Sequence, residues 1–145
     1  MIKIRFVSKA LCLVVFSLFV QMGLYAQNEK PFVVPELKEW KGSEGAFIPS
    51  ADMRVVYAQE ALRSVAEAFA ADYGQMFGLT LEVIQGKPSA GDIYFTLKKD
   101  KKLGREGYAI RTDRYVTVSA PEAVGAYWAT RTLLQMSEQT ENHQL

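Results

Sequence analysis

Two residue types that carry much of nucleophilic, acid–base and metal chemistry are nearly missing: the 145 residues hold one histidine, His143, and one cysteine, Cys12. A lone histidine in a polar tail leaves no room for histidine-based triads or His-rich metal sites, and it reads as a solvated residue. The sixteen acidic residues are scattered, and no Asp–Glu dipeptide occurs. Asp92, Asp100 and Asp113 fall at strand edges or turns, where Asp is expected for backbone hydrogen bonding alone. No serine lies in a nucleophile-elbow context, and the glycines never form a phosphate cradle opening a helix. Lys98–Lys102 reads as a solvated basic loop. There is no internal repeat and no low-complexity tract. From these residues no catalytic, substrate-binding or metal-ligating side chain can be named, and no cofactor is implied.

The sequence also lacks a long apolar run. The longest, Ala10–Val20, is about 11 residues, short of the roughly 20 that span a bilayer. It follows Lys3, Arg5 and Lys9 and precedes Gln21-Met22-Gly23-Leu24-Tyr25-Ala26. A basic start, a short apolar centre and a small residue before a polar stretch predict a secretory signal peptide, residues 1–26, cleaved after Ala26. The product is expected in the periplasm, at the cell surface or outside the cell, with no stable membrane anchor. Removing 26 of the 145 residues leaves 119, one domain by length and too few for an eight-fold barrel of about 250. Seventeen basic residues lose three and the sixteen acids lose none, so the formal charge moves from +1 to −2. No electrostatic case for a nucleic acid partner remains. Cys12 leaves with the leader, and disulfide or thiol chemistry leaves with it.

In the remaining chain, Phe32-Val33-Val34 between Pro31 and Pro35 reads as extended, and Lys38–Pro49 as a hairpin. Arg54–Tyr57 is a short strand. Leu62, Val65, Ala66, Phe69, Tyr73, Met76 and Phe77 recur at helical steps and predict a helix over residues 60–77, stopped by Gly78. Leu79–Ile84 and Asp92–Leu97 read as strands around a glycine-bounded loop, and Glu106–Arg111 and Tyr115–Ala120 as a second pair. Ser119 and Glu122 resemble a capping box opening a last helix, residues 123–139, with Val124, Tyr127, Trp128, Leu133 and Leu134 inward. The sum is α+β: a mixed or largely antiparallel sheet with two helices on one face. The domain spans residues 27–139, and residues 140–145 are a tail or the start of a linker.

Three stretches carry more than pattern. They are Glu106-Gly107-Tyr108-Ala109-Ile110, then Val116-Thr117-Val118-Ser119-Ala120, then Gly125–Met136 with Thr132-Leu133-Leu134-Gln135. Their succession resembles the end of the N-terminal, non-catalytic domain of family 20 glycoside hydrolases, the β-N-acetylhexosaminidases. Val34-Pro35 and Gly45-Ala46-Phe47 resemble the family's opening, so the likeness spans Pro31–Met136. Met136 stands where leucine is commoner, a volume-conserving change. In that family the closing helix leads into a catalytic barrel bearing an adjacent Asp–Glu pair. The resemblance therefore implies a scaffold domain whose partner is that barrel, with glycan met only through the barrel. There the substrate's own acetamido oxygen attacks the anomeric carbon, and no such role transfers to a residue of this chain. It further implies that the last helix docks the barrel through its second face, with Tyr127, Trp128, Arg131 and Gln135 as candidates. The alternative is a free-standing glycan- or protein-binding module using Trp40, Tyr57, Tyr94 or Tyr115.

Overall fold

The computed structural model describes residues 28–145, so the leader over residues 1–26 lies outside the described residues. The chain divides into a small unit, to which residues 28–29 and 42–44 belong, and a main unit of Lys30–Lys41 and Gly45–Leu145. In the small unit the Asn28 N–H donates to the Ser43 carbonyl at 3.1 Å. Everything below concerns the main unit.

Five strands form one sheet in the order β2-β1-β3-β5-β4. They are β1 (Arg54–Tyr57), β2 (Glu82–Gln85), β3 (Ile93–Leu97), β4 (Ala109–Thr112) and β5 (Val116–Ala120), with helices α1 (Arg63–Phe77) and α2 (Ala123–Glu138). The fold is α+β with a mixed sheet, as the sequence indicates, but the expected antiparallel majority is corrected. Strand pairs β1–β2, β1–β3 and β3–β5 are parallel, and β4–β5 is antiparallel. The cause is the α1 crossover, which returns the chain to the end where β1 began and so sets β2 parallel to it. The two strands read as a hairpin around Gly86–Gly91 are not neighbours, because β1 lies between them. Side-chain alternation reports which face is buried and is silent on strand direction. Lys38–Pro49, expected as a hairpin, has no strand.

Register explains the core. Val55, Ile93 and Val116 lie in one row, and Tyr57, Phe95 and Val118 in the next, all on one face. Both helices cover that face: Phe69 and Tyr73 of α1 and Ala126, Ala129 and Leu133 of α2 are buried with these strand residues in one cluster. Phe69 meets Phe95 edge-on at 5.7 Å between ring centres. The stripe expected for α1 is present from Leu62 to Tyr73, with Leu62 in a 3₁₀ turn at Glu60–Leu62, whereas Met76, expected in the stripe, is exposed. Gly78 closes α1 in the left-handed region, φ 74°, with its N–H donating to the Gly74 carbonyl at 2.9 Å.

Helix α2 sits close because its inner face is built of small residues. A Cβ on Gly125 would fall on the Gly107 carbonyl oxygen, well inside van der Waals contact, and would crowd Ala120. The expected capping box is absent: Ser119 belongs to β5, and Glu122 at the N-cap makes no capping bond and pairs with Arg105 instead. Residues 140–145 fold back on the domain. The His143 ring lies 4.2 Å from the Phe77 ring, which corrects its reading as a solvated residue, and Leu145 pairs its backbone with Phe47 in both directions, at 2.6 and 2.9 Å.

Two buried polar sites are unlike in kind. Asp92, 2% exposed, accepts from Arg54 Nε at 3.0 Å and Nη2 at 2.7 Å, and from the Ser89 N–H at 2.6 Å. Burial pushes its carboxyl up, but the Arg54 and Ser89 hydrogen bonds and the Arg54 charge outweigh that and hold it below the usual range. The Tyr73 and Ser137 hydroxyls, by contrast, are buried between the helices with no hydrogen-bond partner. Burial pushes the Tyr73 phenol up, and the adjacent Ser137 hydroxyl offsets this only in part.

Two outcomes follow from this contrast. Asp92→Ala strands the half-buried Arg54 and is expected to cost about 2–4 kcal/mol in urea unfolding. A depressed carboxyl stabilises the fold above the ordinary carboxylate pKa of about 4 and loses that contribution as pH falls below it. The gap between wild type and Asp92→Ala should therefore be constant near neutrality and narrow in acid. Tyr73→Phe is expected to be neutral or stabilising by up to about 1 kcal/mol, since it removes an unmatched hydroxyl; a loss above about 1.5 kcal/mol would reveal a partner for it.

Candidate docking surface

Each Asp that falls at a strand edge or turn in the sequence has a structural partner. Asp92 ties β1 to the loop before β3, Asp100 accepts from the Lys102 N–H at 2.9 Å, and Asp113 lies 3.7 Å from Arg111. Among the described residues no three His, Cys, Asp or Glu side chains converge as a metal site, and no helix is long and apolar enough to cross a membrane. A shallow open groove of about 400 Å³ between α1 and β2 has Glu67 as the ionisable group of its lining. Of the aromatics considered for sugar stacking, Tyr57 is core, while Tyr94 and Tyr115 meet edge-on at 6.3 Å as a half-buried cross-strand pair.

Trp40, the fourth of them, is partly exposed, and two further exposed aromatics share the outward face of α2. Tyr127 and Trp128, expected inward, are 39% and 45% exposed. Leu133 and Leu134 are inward as expected, and the remaining inward positions go to small residues, among them Gly125, Ala126, Ala129 and Thr130. The reason is steric: a close seat against β3 and β5 admits small side chains and excludes an indole. Tyr127 and Trp128 meet edge-on at 5.3 Å, which leaves them as one aromatic ledge.

The other two candidates are already engaged within the domain. Arg131 donates to Asp72 of α1 at 2.6 Å and to Thr130 Oγ1 at 3.0 Å, and its guanidinium stands 5.0 Å over the Tyr127 ring. It ties the two helices together and fixes the ledge. Gln135 holds the segment before the sheet: its Oε1 accepts from the Val34 N–H at 2.9 Å, and its Nε2 donates to the Val34 carbonyl at 3.1 Å. One turn on, Gln139 Nε2 donates to the Phe32 carbonyl at 2.5 Å. Sequence reading gave Gln139 no role, because a glutamine late in a helix is an ordinary surface residue. Its spacing of four from Gln135 is the one signal available.

These two glutamines make Phe32-Val33-Val34 a strap along α2. A helical turn spans about 6 Å and two extended residues about 6.6 Å, so the two ladders match. Val33 is buried beneath the strap, while Phe32 and Val34 point away at 78% and 65% exposed.

The residues that carry the family resemblance are packing devices. Gly125 permits the close approach of the Gly107 carbonyl to α2, Gly107 makes room for the Leu103 backbone within its own loop, and Tyr108 and Thr132 share a hydroxyl hydrogen bond at 2.6 Å.

A family model described as glycosyl hydrolase family 20, domain 2, matches residues 30–145. No curated protein sequence matches the chain. Among solved structures it is similar to the family 20 exo-β-N-acetylglucosaminidase of Vibrio harveyi in complex with N-acetylglucosamine, at a TM-score of 0.61 and 16% identity. That likeness covers 79% of this chain and 17% of the other. It is also similar to the family 20 β-N-acetylhexosaminidase of Streptomyces coelicolor, at a TM-score of 0.56 and 17% identity over 69% of this chain and 20% of that one. The likeness shows the fold, and the chain spans a fifth or less of the length of these enzymes.

The different engagement of the α2 residues has a measurable consequence. Trp128→Ala is expected to change unfolding free energy by less than about 0.5 kcal/mol, as for a surface side chain. Arg131→Ala is expected to cost about 1 kcal/mol, kept small because both ends of its ion pair are partly solvated. Urea titrations of the two variants check the order.

Proposed function

The chain belongs to the glycosyl hydrolase family 20 domain 2 family, and we propose that it is the non-catalytic, amino-terminal scaffold of an exported β-N-acetylhexosaminidase that removes terminal N-acetylhexosamine from glycans. The observation that carries this reading is the family match across residues 30–145, which takes in every strand and both helices. The similar enzymes are several times longer than this chain, and in this reading the chemistry belongs to a catalytic barrel elsewhere in the polypeptide. This domain supplies a docking surface for that barrel, and glycan is met only there. Tyr127 and Trp128 are the contact residues of this reading, while Arg131 and Gln135 act behind them as positioning residues. The basic, apolar and small-residue order of residues 1–26 supports export with cleavage after Ala26.

Two results test this reading. The nucleotide sequence downstream of Leu145 is expected to encode a barrel with an adjacent Asp–Glu pair, in frame or one base displaced. Purified residues 27–145 are expected to give no hydrolysis of a chromogenic N-acetylglucosaminide above the buffer blank. An unrelated gene downstream, or turnover abolished by mutating an acid within residues 27–145, would overturn it.

A further inference from the structure

The proposed docking surface does not end at the aromatic ledge. We infer that the Phe32–Val34 strap is part of it, so that the catalytic barrel rests on a composite of α2 and the strap. This rests on the proposed function, and it adds a second element contributed by residues 32–34, far before α2 (Ala123–Glu138) in the chain.

Continuity is the first reason. Tyr127, Trp128, Arg131, Gln135 and Gln139 run down α2 over about 18 Å, and the last two hold the strap. Phe32 and Val34 are therefore carried on the same helix as the ledge. Second, the glutamines recognise backbone alone and bury only Val33, which leaves the two outward side chains with no function in the domain itself. Large apolar side chains held outward on a fixed backbone are costly on a free surface and useful in an interface. Third, the chain path brings the partner to this end. Gln139, which holds Phe32, lies six residues before Leu145, and Leu145 is pinned to Phe47. Beside Phe47, Ile48 is also exposed. A polypeptide continuing from Leu145, as in the longer relatives, starts six residues beyond the glutamine that holds the strap.

Hydroxyl-radical footprinting tests this on two proteins: the 145-residue chain, and the longer polypeptide obtained by continuing the reading frame through the barrel. Phe32 and Val34 are expected to be labelled at least three-fold less in the longer protein, together with Trp128. In the longer protein a Phe32→Ser, Val34→Ser double variant is expected to raise Trp128 labelling at least two-fold, because one interface is being opened. If Trp128 is protected while Phe32 and Val34 label equally in both proteins, the barrel sits on α2 alone; this inference fails and the proposed function stands. Unchanged Trp128 labelling in the double variant overturns it in the same way. If no barrel is encoded, both readings fail together.

Discussion

The close seat of α2 against β3 and β5 is the constraint on which the rest of this domain depends. It exists because Gly125, Ala126 and Ala129 leave little bulk on the first turns of the inner face, and because Gly125 makes room for the Gly107 carbonyl of the segment before β4. Once α2 is that close, its other residues meet neighbours at short range. Thr132 meets Tyr108, Arg131 meets Asp72, Gln135 and Gln139 meet the strap, and the Ser137 carbonyl faces His143. The helix is thus a hub that joins the sheet, the other helix and both ends of the main unit. A bulkier inner face would lift it and loosen all of these ties at once.

The unequal legibility of the fold follows from what each signal measures. The α1 stripe was readable because a partly buried helix repeats its apolar residues at a period no strand shares, and Gly78 marks its end unambiguously. Strand positions were readable from alternation, whereas the β2-β1-β3 order was not, because alternation is identical in parallel and antiparallel ladders. For α2 the same rule misled. Tyr127 and Trp128 are its largest apolar residues and by hydrophobicity belong inside, yet the inner face holds glycine, alanine, threonine and leucine and no aromatic ring. Hydrophobicity says that a side chain prefers to be covered, and it does not say by what.

That distinction bears on the docking candidates. All four were named from the sequence, but they differ in kind: two present exposed aromatic surface and two are bound to their own domain. Charge and amide character made Arg131 and Gln135 look available, though each is satisfied by a partner 59 or 101 residues away. Gln139 and the strap could not be found by local pattern, since their pairing joins residues 107 apart. Likewise, the motif residues that carry the family resemblance report on how the helix is seated, and they would be the same whatever the barrel does.

These internal ties also determine what kind of interface the face can make. Arg131 and both glutamines are already hydrogen-bonded, so covering them requires no new polar partner of matching geometry. What stands proud of them is aromatic or aliphatic: Tyr127 and Trp128 at one end, Phe32 and Val34 at the other. An apolar surface lying over satisfied polar groups gains from burial without a desolvation penalty for stranded charge. Such a face favours a lasting contact over a transient one steered by charge, in keeping with a formal charge of only −2 over residues 27–145. The same physics makes the face a liability when bare, because the strap adds the exposed Phe32 and Val34 to the exposed Tyr127 and Trp128.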